Sequence, residues 1–128
     1  MEKKLTLGID VGGTKIETAI LNDDGKILIR KRMPTERDKG YSDVLTRLTY
    51  LIKETCQEID ISIQSLKGIG IGLPGSVDPK SEKMINGNSQ IFIDKDIKND
   101  LKKSLGFNAS IKCANDANCF AMAEYHFG

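Results

Sequence analysis

The sequence has 128 residues, 39% hydrophobic and 29% charged, with a formal net charge of +1, enough chain for one domain with its own core. Near-neutral charge leaves no electrostatic footprint for nucleic acid or an anionic membrane surface, and the Trp-free, Phe-poor strands offer no aromatic stacking platform. No apolar run is long enough to span a bilayer, and Met1-Glu2-Lys3-Lys4 leads into a strand, not into a signal-peptide core.

The first strand is expected over Lys4 to Asp10, delivering a carboxylate to the glycine pair Gly12-Gly13. A second strand, Lys15 to Leu21, follows with no helical period, so the stretch reads as strand, tight turn, strand. Gly12 and Gly13 can adopt positive φ and let backbone approach a ligand. Turn N–H groups aimed one way suit phosphate, with Thr14 adding a hydroxyl and Lys15 a charge. An acid beside phosphate is repulsive unless a cation intervenes, so Asp10 points to a hydrated Mg²⁺. A plain Gly-Gly hairpin with a capping acid would carry the same residues. A P-loop is excluded, because Gly13-Thr14-Lys15 has the wrong order and opens a strand, not a helix.

Asn22-Asp23-Asp24-Gly25 is a hairpin turn into a third strand, Lys26 to Arg32, which Pro34 stops. Thr35 to Gly40 reads as a polar connector. From Ser42, the expected N-cap, Val44, Leu45, Leu48, Leu51, Ile52, Thr55, Cys56 and Ile59 recur at helical spacing. Leu66 to Leu73 then reads as a buried strand, parallel to a member of the first sheet through a right-handed crossover. Gly70 to Gly75 matches GxGxxG in form, with Asp94 further on. A dinucleotide fingerprint must open a helix, and Ser76-Val77-Asp78-Pro79 cannot continue one. Pro74-Gly75 reads instead as a stiff turn at a strand's carboxyl end.

Lys83 to Asn86 is expected as a short edge strand and Gly87-Asn88-Ser89 as a turn. Asp96 to Leu105 is a short helix ended by Gly106, and Ala109 to Ala114 the last strand. It meets Asn115-Asp116-Ala117-Asn118 and a helix with Cys119, Phe120, Ala123 and Phe127 on one face. That helix reaches Gly128 without a cap, as in a chain that has been cut. Cys56, Cys113 and Cys119 show no CxxC spacing and read as small buried hydrophobes in a reduced, cytoplasmic setting. His126 has no ligand partner at useful spacing and receives no role.

Asp116 sits at a strand-to-helix junction, where asparagine and aspartate also serve as ordinary caps. Three strand ends, at Asp10, Leu73-Pro74-Gly75 and Asn115-Asp116, converge on one edge of the expected sheet. A phosphate loop with a cation-binding acid, a sugar-sized turn surface and a second acid are the parts of a phosphoryl-transfer site. There Asp116 would accept the proton of an attacking hydroxyl. Asn115 and Asn118 both donate and accept, which suits a polyol, and Asn88 is a further polyol-contact candidate. Turns and helix starts use asparagine for structure as well.

These residues resemble the ROK family (repressors, open reading frames and kinases). Asp10-Val11-Gly12-Gly13-Thr14-Lys15 is similar to its first phosphate loop, Gly72-Leu73-Pro74-Gly75-Ser76-Val77 to its Pro-Gly turn, and Asn115-Asp116-Ala117-Asn118 to its catalytic segment. The resemblance runs over essentially the whole chain. It implies an α/β, actin/hexokinase-like (ribonuclease H-like) ATPase domain with a mixed five-stranded sheet in the order βββαβαβα. It implies ATP and Mg²⁺ as cofactors, with Gly12, Gly13, Thr14 and Lys15 on the ATP phosphates and Asp10 on the metal. Asp116 becomes the general base, and Gly75, Asn88 and Asn115 touch the sugar.

The implied activity is transfer of the ATP γ-phosphate to the 6-hydroxyl of a hexose of the fructose, N-acetylglucosamine or glucose class. Asn115 to Ala121 is most like N-acetylglucosamine kinases and fructokinases, and Asn86-Gly87-Asn88-Ser89 with Ile93-Asp94-Lys95-Asp96 is similar to the fructokinase pattern. Residues 1–128 would be the N-terminal lobe alone, inactive by itself, with the family's second lobe and its Cys-rich zinc motif absent. A homodimer is a possibility for the complete protein. The competing reading is a sugar-sensing regulator of the same family; the few residues ahead of strand one and the balanced charge count against it. A third is another kinase of the actin/hexokinase group, which fold alone does not separate.

Overall fold

An alternating apolar run and a second run with no helical period make the first hairpin. In the computed structural model, which describes residues 5–73, 75–78, 80–81, 83–87, 92–93, 95–108 and 110–114, β1 (Leu5–Val11) pairs antiparallel with β2 (Lys15–Leu21), and β2 with β3 (Ile27–Pro34). The Asn22 side-chain oxygen builds the second turn, accepting from the N–H groups of Asp24 and Lys26 at 3.0 Å each. β4 (Leu66–Gly72) lies parallel to β1, and β7 (Ser110–Ala114) parallel to β4. The order is β3-β2-β1-β4-β7, the mixed five-stranded sheet expected from the chain.

Period-two alternation sorts the side chains onto two faces. Leu7, Ile9 and Val11 stand opposite Ile20, Thr18 and Ile16, and Ile69 and Ile71 share their row. The Thr18 hydroxyl meets the Thr55 hydroxyl of α1 (Tyr41–Glu58) at 2.7 Å, which marks this face as the helix-covered one. Val44, Leu48, Leu51, Ile52 and Cys56 of α1, and Ile97, Leu101 and Leu105 of α2 (Ile97–Leu105), close the same core. Tyr41 packs edge-on to Phe92, with ring centroids 6.5 Å apart, and donates its hydroxyl to Asp100 at 2.6 Å, joining the two helices. Asp96 caps α2 by accepting from Asn99 N–H at 3.4 Å, and Gly106 ends it at φ 65°.

Three expectations need correction. Ser42 is not the N-cap of α1; Gly40 holds that position at φ 94°, a conformation glycine takes without strain, and the helix opens at Tyr41. β3 does not end at Arg32 but runs on to Pro34, its last residue, opposite Lys15. The next residue, Thr35, donates its N–H to Thr14 across the ladder, so parity turns the Pro34 nitrogen away from β2, where no donor is needed. The Pro-Gly segment is not only a turn, because Gly75–Val77 forms a strand, β5. It pairs with β6 (Met84–Gly87) in a separate two-stranded ladder, so the short edge strand expected at Lys83 to Asn86 is present, one residue further on and apart from the main sheet. Three-residue strands leave too little alternation to read. The helix expected after Ala114, with Cys119, lies outside the described residues.

Cys56 and Cys113 are buried and outside any disulfide, as expected. Burial pushes the Cys56 thiol up to about 11 from an ordinary 9.0. The unfolded chain therefore gives up this proton first, and the stability contributed by Cys56 is complete below pH 9.0 and declines as pH rises toward about 11. At pH 8 in native buffer Cys56 should stay unmodified by a disulfide reagent and react after urea unfolding; rapid native labelling at this position would contradict its burial.

Candidate functional site

The ladder brings three strand ends into one row. Asp10 stands opposite Gly72 on β4, and Gly72 opposite Ala114 on β7. All three strands run the same way, so their carboxyl ends share one rim of the sheet, the edge where open α/β sheets bind ligands. Gly75 opens β5 just beyond that rim in sequence, opposite Gly87. Asn88, Asn115, Asp116 and Asn118 lie outside the described residues. Ala114 is the last strand residue before Asn115-Asp116.

At this rim the β1–β2 connection is a closed hairpin. Gly12 N–H donates to the Lys15 carbonyl at 2.9 Å. A Cβ built on Gly12 would sit 2.8 Å from that same oxygen, inside any real contact distance. Glycine is therefore demanded here by close approach and not by positive φ, which among the described glycines belongs to Gly25, Gly40 and Gly106. Thr14 and Lys15 are exposed at the tip.

Asp10 is half-buried on the face opposite α1. Its carboxyl is raised above the ordinary value chiefly by burial, then by Glu17 directly across the strand pair, while Lys15 pulls the other way. Glu17 is itself paired with Arg30 at 3.7 Å. A carboxylate held against another acid beside this hairpin is a donor that a divalent cation would relieve. Among the described residues no three Asp, Glu, His or Cys side chains gather as a metal set. Mg²⁺ takes one or two carboxylates and fills its other positions with water and phosphate oxygens, so the Asp10 carboxylate is a donor of the right kind.

One residue read as part of a connector lies against the hairpin. Thr35 is fully buried. Its hydroxyl donates to the Gly12 carbonyl at 2.9 Å and its N–H to the Thr14 carbonyl at 2.9 Å. Arg47 of α1 flanks it, donating to the Pro34 carbonyl at 3.3 Å and to the Glu36 carboxylate, with Asp43 as its other partner at 2.8 Å. Only the strand register brings Thr35 here: it follows the Lys15–Pro34 pair and so sits beside the end of the hairpin.

A model of the ROK family matches residues 6–128. The chain belongs to the ROK family. Among curated proteins it is 34% identical over 118 residues to the N-acetyl-D-glucosamine kinase of Citrobacter koseri, covering 91% of this chain and 36% of that relative. This ROK chain thus spans about a third of the length of such relatives. In structure it is similar to a ROK family glucokinase from Streptomyces griseus, solved with glucose and AMPPNP, at a TM-score of 0.78 and 25% identity over 97% of this chain and 37% of that one. The actin/hexokinase-type fold follows from that likeness. A ROK family transcriptional regulator homologous to the E. coli MLC protein matches at a TM-score of 0.73 and 23% identity, over 96% of this chain and 30% of that one, a likeness of fold alone. Among the described residues no helix is long and apolar enough to cross a membrane.

Proposed function

We propose that this ROK chain is the N-terminal lobe of an ATP-dependent hexose kinase that passes the γ-phosphate to a sugar 6-hydroxyl. The observation that carries the reading is the row Asp10–Gly72–Ala114, which puts the phosphate-type hairpin and the strand leading to Asp116 on one rim. Gly12, Gly13, Thr14 and Lys15 hold the ATP phosphates, and Asp10 the Mg²⁺. Bound there, Mg²⁺ supplies charge neutralisation for the phosphates. Gly75, Asn88 and Asn115 orient the sugar, and Asp116 takes the proton of the attacking hydroxyl. A carboxylate is a weak base toward an alcohol, but that proton becomes acidic only as the O–P bond forms, so placement outweighs basicity.

N-acetyl-D-glucosamine leads the candidate sugars, because the relative from Citrobacter koseri acts on it by name; fructose and glucose follow. The test is ADP release by the complete protein with ATP, Mg²⁺ and each of the three sugars. Turnover with at least one is expected, and none with any sugar overturns the reading. The 128-residue chain alone should give no turnover, since it spans only about a third of the length of such kinase relatives. The regulator reading gains only from the shared fold; specific DNA binding without sugar turnover by the complete protein would favour it.

A further inference from the structure

The kinase reading assigns no role to Thr35, yet no other described side chain is bonded to the hairpin's own carbonyls in this way. We infer that Thr35 is a positioning residue that presets the Gly12–Lys15 hairpin for phosphate, with Arg47 of α1 holding Thr35 in place. The inference rests on the kinase reading and deepens it.

The argument is one of peptide geometry. All described peptide bonds are trans, and in a trans peptide the C=O and the following N–H point opposite ways. With the Gly12 carbonyl drawn to the Thr35 hydroxyl at 2.9 Å, the Gly13 N–H is turned away from Thr35. With the Thr14 carbonyl drawn to the Thr35 N–H at 2.9 Å, the Lys15 N–H is turned away as well. Thr35 lies on the β3 side of the hairpin, so these two N–H groups face away from that edge of the sheet. Two donors aimed alike are what a phosphate oxygen needs, and a glycine loop left to itself would not keep them so.

Thr35 is in turn fixed from both sides. Arg47 donates to the Pro34 carbonyl before it and to the Glu36 carboxylate after it. Glu36 sits at φ 51°, a conformation costly for a residue with a side chain, and its carboxylate also pairs with Lys39 at 2.8 Å. Helix α1, its arginine, the bend around Thr35 and the hairpin thus form one continuous strut. Thr35 touches no reacting atom; it acts through the backbone of the residues that would.

Thr35→Val removes the hydroxyl at nearly constant volume and leaves the N–H, and Thr35→Ser keeps both. In the complete protein, titration with Mg·ATP by calorimetry should show Thr35→Val binding about tenfold more weakly, a change of about 1.4 kcal/mol, and Thr35→Ser within about twofold of the wild type. The KM for sugar should not move. Amide exchange at Gly13 and Lys15, followed by NMR without nucleotide, should quicken in Thr35→Val and recover in Thr35→Ser. Should Thr35→Val not fold, Thr35→Cys, whose thiol is a weaker donor, takes its place. Unchanged Mg·ATP affinity with only the thermal midpoint lowered overturns the inference. A wild type that binds no Mg·ATP defeats the kinase reading instead, and unchanged exchange at Gly13 and Lys15 then defeats the positioning role separately.

Discussion

Replacing Asp116 by asparagine in the complete protein is expected to lower kcat for sugar phosphorylation by about 10²- to 10⁴-fold while sugar affinity stays near that of the wild type. The substitution separates the two readings of this residue. As a helix cap, asparagine serves as well as aspartate, so Asp116→Asn leaves a cap intact and costs the fold little. As a proton acceptor, an amide cannot replace a carboxylate. Turnover lost with folding and sugar binding kept therefore identifies the base. Near-normal turnover would return Asp116 to capping and remove the chemical half of the proposal. Sugar binding by calorimetry and steady-state kinetics on the same preparation give both numbers.

Gly12→Ala is the structural counterpart. The added Cβ would lie 2.8 Å from the Lys15 carbonyl oxygen, which is backbone and cannot swing aside as a side-chain tip could. That oxygen also accepts the Gly12 N–H at 2.9 Å, and the Gly12 carbonyl accepts from Thr35, so relief of the clash breaks a hydrogen bond on one side or the other. A loss of about 1–3 kcal/mol in urea unfolding is expected. Weakening of Mg·ATP binding should exceed it in consequence, by about 10- to 100-fold, or about 1.4 to 2.8 kcal/mol. Wild-type values for both would mean that the hairpin relaxes freely and is not a preset cradle.

Much of this was legible in the chain because the signals were local. β2 came out with its observed ends, since Lys15 to Leu21 has no helical period and lies between two turn signals. α2 was marked by an acid at its start and glycine at its end, and both act as caps in the structure. The parallel placement of β4 followed from a strand–helix–strand order with no room for a hairpin. What escaped depends on contacts between distant segments. Gly40 displaced Ser42 as the cap of α1 because the chain enters the helix through a φ that serine resists, and that entry is set by Tyr41 docking on Phe92 and Asp100. Thr35 was hidden for the same reason: its partners lie more than twenty residues away, and a polar residue between Pro34 and Glu36 looks like linker until the strands are paired. Type and spacing point to Asp10 and Gly12 as candidates, but the reason for a glycine at position 12, a backbone oxygen in the space of a Cβ, needed coordinates.

The outer margin of the sheet at β3 carries a further consequence, for behaviour in concentrated solution. A margin strand offers a row of unused main-chain groups that a neighbouring molecule could copy, which is how ordered aggregates begin. Along β3 the exposed positions are Leu28, Arg30, Arg32 and Pro34. Two positive charges would be stacked against their own copies in any such pairing, and the proline nitrogen has nothing to donate at the far end. The same ring that lets Thr35 reach the hairpin thus also spoils this flank as a template for self-association.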